Sequence, residues 1–171
     1  MAYTLASGEK FLAVAQSEYQ NELNRTTIID NKLSIALPIV SAYFFLVIQH
    51  SNIRKLFSAE VDTSTVGAML SNLILPISFV LAIILSAVAL VLMVCVVGTH
   101  SYEHIDTKQF NTAEQISLEP NQFSAALSTV YIRATYTNRK QNDIRVKEYK
   151  WGWICTAFSL GCFLIHVLFS V

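Results

Sequence analysis

One long apolar stretch of this sequence dictates the environment in which it can fold. Twenty-five consecutive residues, Leu73–Val97, carry no charged side chain, and about 20 mostly apolar residues suffice for a helix to cross a bilayer. Only 14% of all residues are charged, whereas a soluble domain has about 25%, and the mean hydropathy is +0.45. The sequence therefore predicts an integral membrane protein, and it excludes a disordered chain.

Two further apolar stretches are candidates for membrane spans. Trp151–Val171 begins with two tryptophans, which favour the membrane–water interface, and Leu33–Ile48 is shorter, with Pro38 placed near its first turn. We therefore predict an all-α integral membrane protein with three transmembrane helices. Its segments are a cytoplasmic N-terminal helix (1–32), a first span (33–50), an external loop (51–70), a second span (71–98), a cytoplasmic loop and long helix (99–150), and a third span (151–171).

The basic residues predict the orientation of these spans. Ten of the 12 Lys and Arg side chains lie before the first span or between the second and third, and only Arg54 and Lys55 lie between the first and second. Cytoplasmic segments carry the excess of basic residues, so we expect the N-terminus and residues 99–150 in the cytoplasm. Because 12 basic residues balance 12 acidic ones, nucleic-acid binding through bulk charge is not expected.

The cytoplasmic segments are expected to be helical. Between Gly8 and Pro38 no glycine or proline occurs, so the N-terminal helix is predicted to run into the first span. Asn121 is the predicted cap of the last helix, which meets no helix breaker before Gly152 and continues through the third span. Gly152 is therefore the expected flexible point of that helix.

One short motif has metal-ligating residue types, His100-Ser-Tyr-Glu103-His104, which matches H-x-x-E-H. A catalytic zinc would need a further ligand from a supporting helix, and no downstream acid stands in a recognisable motif. The alternative is a hydrated segment where a span meets the cytoplasm. With five glycines in the chain, a glycine-built phosphate loop is not expected either. We predict that the chain is not an enzyme and holds no metal or cofactor.

An anionic ligand would therefore have to be held by side chains and helix ends. The candidates lie on the last helix, with one arginine on the first: Arg25, Arg133, Tyr136, Asn138, Arg139, Lys140 and Arg145. The same residues could instead form a solvated face attracted to anionic lipid. His166 lies deep in the third span, where a polar group faces protein or a water-filled path, so it is the candidate pore-lining residue.

The order of these elements supports a resemblance to a known family. Asp30-Asn-Lys32 precedes the first span, a pair of spans and a polar loop follow, and Tyr136-Thr-Asn-Arg-Lys-Gln-Asn-Asp-Ile-Arg-Val-Lys147 runs into the last span. This layout resembles the small transmembrane effectors of bacterial antiphage signalling, most closely the Pycsar effectors, and is similar to the related SLATT-type effectors. The resemblance adds Asp30 and Lys32 to the expected ligand-binding residues.

The resemblance also implies a function. A partner cyclase would make a cyclic pyrimidine nucleotide, cUMP or cCMP, during phage infection. The effector would sense it in the bacterial inner membrane, oligomerise or open, and damage the bilayer, which causes abortive infection. Two alternatives stay open: a non-catalytic subunit or regulator of a larger membrane complex, and a metal-dependent enzyme built on the H-x-x-E-H motif. Three spans are too few to enclose a wide pore, so we expect a homo-oligomer, packed through Ser159, Gly161 and Cys162.

Overall fold

A computed structural model describes residues 5–50, 66–98, 102–110 and 118–169. Within these ranges every regular element is helical: α1 (Leu5–Gln49), α2 (Val66–Val97), a short 3-10 turn (Thr107–Phe110) and α3 (Pro120–Phe169). Helices α1, α2 and α3 are each long and apolar enough to cross a membrane. This confirms the prediction of a helical chain with three helices that could span a membrane.

The starts of two helices differ from those expected. Helix α2 begins at Val66, inside the range that the sequence assigned to the external loop. Helix α3 begins at Pro120, and the N–H of Phe123 donates to the carbonyl of Glu119 at 3.0 Å. Glu119 therefore occupies the cap position, and the prediction that Asn121 caps this helix is wrong. Proline suits the first helical position because its φ is preset and it has no N–H to leave unpaired.

Prolines lie inside both α1 and α2. Pro38 and Pro76 have no N–H to donate to the carbonyl four residues earlier, which weakens the helix at those points. The expectation that Pro38 stands near the first turn of its helix is wrong, because α1 begins at Leu5.

The chain forms two compact units. We call the first the polar unit; it comprises Met1–Asn31 and Thr99–Arg145. We call the second the apolar unit; it comprises Lys32–Gly98 and Val146–Val171. Helices α1 and α3 contribute residues to both units, whereas α2 belongs to the apolar unit alone.

The apolar unit has a small core and an apolar exterior. Val47, Phe79, Ala82 and Phe163 form its buried cluster. Most large hydrophobic side chains of α2 are nonetheless exposed. A helix that is apolar on its outer as well as its inner face suits a lipid environment, where exposed hydrocarbon carries no penalty.

Gly152 is part of this packing. It is helical and buried, and a β-carbon there would lie 2.9 Å from Cε of Met93. The described glycines include none with positive φ. Gly152, the expected flexible point, thus lies in a regular helix, where its missing side chain makes room for Met93 of α2.

The buried hydroxyl groups of the apolar unit have partners inside it. Ser159 donates to the carbonyl of Ala82 at 2.7 Å, so the hydroxyl of Tyr43, 2.9 Å away, must donate to Ser159. Such pairing is required because hydrocarbon offers no water to a polar group. Ser159 thus faces the interior of the unit, whereas Gly161 is exposed with open space beside it.

Candidate functional site

The polar unit is held together by a seam of buried polar side chains. Ala15 and Ala134 allow α1 and α3 to approach closely, and both are at least 95% buried. The same seam also buries Glu22, Asn142 and Arg145, each less than 7% exposed. A polar group out of contact with water is costly unless it is hydrogen-bonded. The partners of these side chains therefore determine how the unit is built.

Asn142 lies at the centre of the seam and is completely buried. Its Nδ2 donates to the main-chain carbonyl and to Oε2 of Glu22, both at 3.1 Å. Its Oδ1 accepts from the hydroxyl of Tyr102 at 2.9 Å and from Oγ1 of Thr26 at 3.2 Å. One amide therefore joins α1, α3 and the segment that contains Tyr102.

Asn138 holds that same segment by its backbone. The N–H of Glu103 donates to Oδ1 of Asn138 at 2.9 Å, and Nδ2 of Asn138 donates back to the carbonyl of Glu103 at 3.3 Å. Tyr19 adds a third bond, donated to the same carbonyl at 3.4 Å. A side-chain amide paired with both polar groups of one residue fixes the register of residues 102–106 on the helices.

Arg145 extends the seam to Asp30 and Tyr102. Nη1 donates to the hydroxyl of Tyr102 at 2.6 Å, and Nη2 forms an ion pair with Asp30. The guanidinium carbon also lies 5.9 Å from the centroid of the Tyr102 ring, within the range of a cation–π contact. Tyr102 can accept from Arg145 and donate to Asn142 at once, so the three residues form a continuous chain of hydrogen bonds.

A second set of ion pairs lies at the edge of the seam. Arg139 contacts Glu22 at 3.1 Å through Nε and Glu18 at 2.9 Å through Nη2. Arg25 contacts Asp143 at 2.6 Å. These pairs join residues more than a hundred positions apart in the sequence.

The ion pairs stabilise the charged form of Arg139 and Arg145. Both residues lie outside residues 151–171, the third predicted span. The hydrogen bond that Arg139 donates to Glu22, followed by the negative charge of Glu22, raises the pKa of Arg139 above the ordinary value. For Arg145 burial acts to lower the pKa, but the hydrogen bonds with Asp30 and Tyr102 outweigh burial and raise it. Both guanidinium groups therefore stay charged throughout the physiological pH range.

The structure places the predicted ligand-binding residues in two different environments. Those engaged in the contacts of the polar unit are Arg25, Asp30, Arg133, Asn138, Arg139 and Arg145. Those that stand exposed are Lys32, Tyr136 and Lys140, of which Lys32 belongs to the apolar unit. The acidic partners Glu18, Glu22 and Asp143 were not predicted, because nothing in their local sequence shows which distant arginine they meet.

One groove of the polar unit combines exposed rings with a cation. It has a volume of about 260 Å³ and is lined by Phe11, Val14, Ala15, Glu18, Ile132, Thr135, Tyr136 and Arg139. We call it the Tyr136 groove. Tyr136 is 73% exposed and Phe11 54%, and Arg139, paired with Glu18, lines the same groove. Two of the predicted ligand-binding residues, Tyr136 and Arg139, are thus brought together.

A second pocket of the polar unit, about 290 Å³, has a different lining: Gln16, Tyr19, Gln20, His104, Ile105 and Tyr131. It holds amide and phenol groups but no lysine or arginine. Of the two pockets, the Tyr136 groove is therefore better suited to an anion.

The metal-like motif is only partly described. His100 lies outside the described residues, Glu103 forms an ion pair with Arg133 at 3.2 Å, and His104 is exposed. Among the described residues no three His, Cys, Asp or Glu side chains lie close enough to hold a metal ion together.

His166, the candidate pore-lining residue, is 8% exposed. Its ring lies 4.5 Å from that of Phe79, centroid to centroid, and its Nδ1 lies 3.3 Å from the carbonyl of Leu75. In the single chain its imidazole therefore contacts α2 inside the apolar unit.

Fold and site together define a small helical membrane protein with a polar unit built on buried amides and ion pairs. No family model, curated protein or solved structure matches the chain. Its function has to be argued from its own residues.

Proposed function

We propose that this chain is an antiphage effector of the bacterial inner membrane, activated by a cyclic pyrimidine nucleotide, cUMP or cCMP. The polar unit binds the nucleotide, and the apolar unit then impairs the bilayer, which stops growth of the infected cell. The observation that carries this proposal is the Tyr136 groove, where two exposed rings and a guanidinium lie together.

The lining of the groove matches the parts of a mononucleotide. The rings of Phe11 and Tyr136 offer surfaces on which a pyrimidine can stack, and stacking of a base on an aromatic ring contributes about 1–3 kcal/mol. Arg139 offers two N–H groups to a phosphodiester, the geometry that guanidinium groups favour. The volume of about 260 Å³ lies just below the roughly 300–1,000 Å³ of most ligand pockets. This limits the ligand to a small one.

Arg139 already has partners, and this gives the ligand a way to act. Its contact with Glu18 joins two side chains that are each 52% exposed, and exposed pairs contribute only about 0.2–1 kcal/mol. A phosphate can therefore replace the Glu18 carboxylate. The side chain of Glu22 is only 8% exposed, and its contact with the Arg139 guanidinium is kept when Glu18 leaves.

Displacement of Glu18 from Arg139 by a phosphate also affects the rest of the seam. Glu22 contacts both Arg139 and Asn142, and Asn142 contacts Tyr102. A changed position of Arg139 therefore alters the hydrogen bonds that hold α1, α3 and residues 102–106 together. A ligand can shift such an equilibrium only by its differential affinity for the two states. The two states differ in the contact between Arg139 and Glu18. The nucleotide favours the state in which Glu18 is displaced, because only there can its phosphate contact Arg139.

The membrane is the target because all three long helices are apolar enough to enter it. Three helices cannot enclose a wide pore, so the active form is a homo-oligomer. Light scattering in several detergents measures this directly: particles of two or more chains are expected, and monomers in every detergent would contradict this part of the proposal.

Nucleotide binding to the purified full chain tests the groove. Calorimetry is expected to show saturable binding of cUMP or cCMP, with weaker binding of cyclic AMP. Tyr136→Ala and Arg139→Lys should each weaken binding, since the first removes a stacking surface and the second cannot contact Glu22 and a phosphate together. Lys147→Ala removes one positive charge from an exposed position of the same helix and serves as the matched control. If Tyr136→Ala and Arg139→Lys bind as tightly as the wild type, the groove is not the site, and if only Lys147→Ala weakens binding, attraction by general charge explains the data.

The groove also favours one alternative function. Phe11 and Val14 are 54% and 61% exposed, and such side chains suit a contact with another protein. The chain would then be a non-catalytic subunit or regulator of a larger membrane complex. An adjacent gene for a nucleotide cyclase supports the effector, whereas a transporter operon supports the subunit.

A further inference from the structure

The apolar unit brings two of the four histidines of the chain together. His50 follows the last residue of α1, and its N–H donates to the carbonyl of Leu46 at 3.0 Å. His166 lies near the end of α3. The centroids of the two imidazole rings are 6.4 Å apart, and the ring planes are nearly perpendicular, at 85°.

The contacts of His166 determine which of its nitrogens is available. Nδ1 lies 3.3 Å from the carbonyl oxygen of Leu75, and a carbonyl can only accept a hydrogen bond. Nδ1 is therefore the donor of this contact, and in the matching neutral tautomer the lone pair lies on Nε2. This arrangement, in which one ring nitrogen donates to a carbonyl and the other is left to coordinate, is the usual state of a metal-binding histidine.

Aromatic rings contact both imidazoles. Phe79 lies 4.5 Å from the His166 ring, and Phe163 meets the His50 ring edge to face at 5.5 Å. His166 is 8% exposed, whereas His50 is exposed. The buried histidine is thus held in place, and the exposed one can still turn toward it.

We propose that His50 and His166 form a binding site for a divalent transition-metal ion such as Zn²⁺ or Cu²⁺. With metal–nitrogen distances of about 2.0–2.1 Å, two imidazoles on one ion have ring centroids roughly 5–6 Å apart. The two ring centroids are 6.4 Å apart, so a small rotation of the His50 side chain brings them to this distance. Imidazole nitrogen suits both metals, and copper(II) binds the more tightly.

Two histidines leave part of the coordination sphere to water. In the part of the chain that the structure describes, no three metal-ligating side chains lie together. A bound ion joins the end of α1 to α3 within the apolar unit, so it should stabilise that unit. The proposal does not depend on nucleotide binding.

Metal titration of the full chain tests the site, with protein purified without a polyhistidine tag. Calorimetry with Zn²⁺ is expected to show one ion per chain. His50→Ala and His166→Phe should each lower the affinity at least about tenfold, and the phenylalanine preserves the ring contact with Phe79. The control is a double variant, His100→Ala with His104→Ala, which removes the other two histidines and should change the affinity less than about twofold.

A second measurement separates coordination from folding. The paramagnetic resonance spectrum of bound Cu²⁺ should show coupling to imidazole nitrogen from two rings, and from one ring in His50→Ala. His50 is exposed, so its replacement leaves the fold intact even if His166→Phe does not fold. The proposal is overturned if the wild type binds no Zn²⁺, if His50→Ala binds as tightly as the wild type, or if the double variant loses binding.

Discussion

Replacement of Asn142 by alanine should weaken the polar unit more than any exposed substitution. The side chain is completely buried and forms four hydrogen bonds. Two of its partners keep another bond in the variant, because Tyr102 still contacts Arg145 and Thr26 still donates to the carbonyl of Glu22. The main loss falls on Glu22, whose buried carboxylate loses the amide donor.

The magnitude follows from these contacts. A hydrogen bond to a charged group contributes about 1.5–3 kcal/mol, and a neutral one about 1 kcal/mol. We therefore expect Asn142→Ala to lower the free energy of unfolding by about 3 kcal/mol. For a chain of 171 residues, each kcal/mol shifts Tm by about 2–4 °C, which gives a drop of about 6–12 °C.

Circular dichroism at the helical minimum, recorded during heating in detergent, measures this change. Asn24→Ala is the matched control, since Asn24 is exposed and accepts only a 3.4 Å contact from Gln20. Exposed substitutions of this kind change stability by less than about 0.5 kcal/mol. If Asn142→Ala lowers Tm no more than Asn24→Ala does, the buried amide does not hold the unit together.

Two further variants test the seam and the apolar packing by the same heating experiment. Arg145→Lys should lower the free energy of unfolding by about 1–2 kcal/mol. One ammonium group cannot contact Asp30 and Tyr102 together and also keep the contact with the Tyr102 ring. An unchanged Tm would show that the positive charge alone is sufficient. Gly152→Val should destabilise the apolar unit because its β-carbon meets Met93, and Met93→Ala should restore part of the loss; a stable single variant would contradict the packing role.

The spans could be predicted from sequence because apolar length is a local property. The 25 residues Leu73–Val97 need no knowledge of the fold to be recognised. The continuity of the long helices followed from the scarcity of glycine and proline. The cap of α3 was misjudged by two residues, since Asn121 looks like a cap but Pro120 is the better first helical residue.

The polar seam could not be predicted because its pattern is not hydrophobic. Ala15, Glu22 and Ile29 are buried at intervals of seven, but a glutamate in the middle hides this spacing from any search for apolar periodicity. From the sequence alone, the arginines of α3 looked like an open basic face. Their acidic partners lie on α1, more than a hundred residues away, and only the fold brings them together.

The Tyr136 groove could be predicted only in part. Tyr136 and Arg139 were predicted from residue type on α3, three positions apart and therefore on one face. Phe11, which completes the groove, comes from α1. No spacing in the sequence connects it with the other two.

Dye release from lipid vesicles that contain the purified full chain is the most direct test of the central claim. The proposal requires a minor open state, so we expect a slight leak without ligand and a large release when cUMP or cCMP is added. Arg139→Lys should keep the slight leak and lose most of the response. If saturating cUMP and cCMP both leave the vesicles as tight as before, the chain is not a nucleotide-activated effector of the membrane.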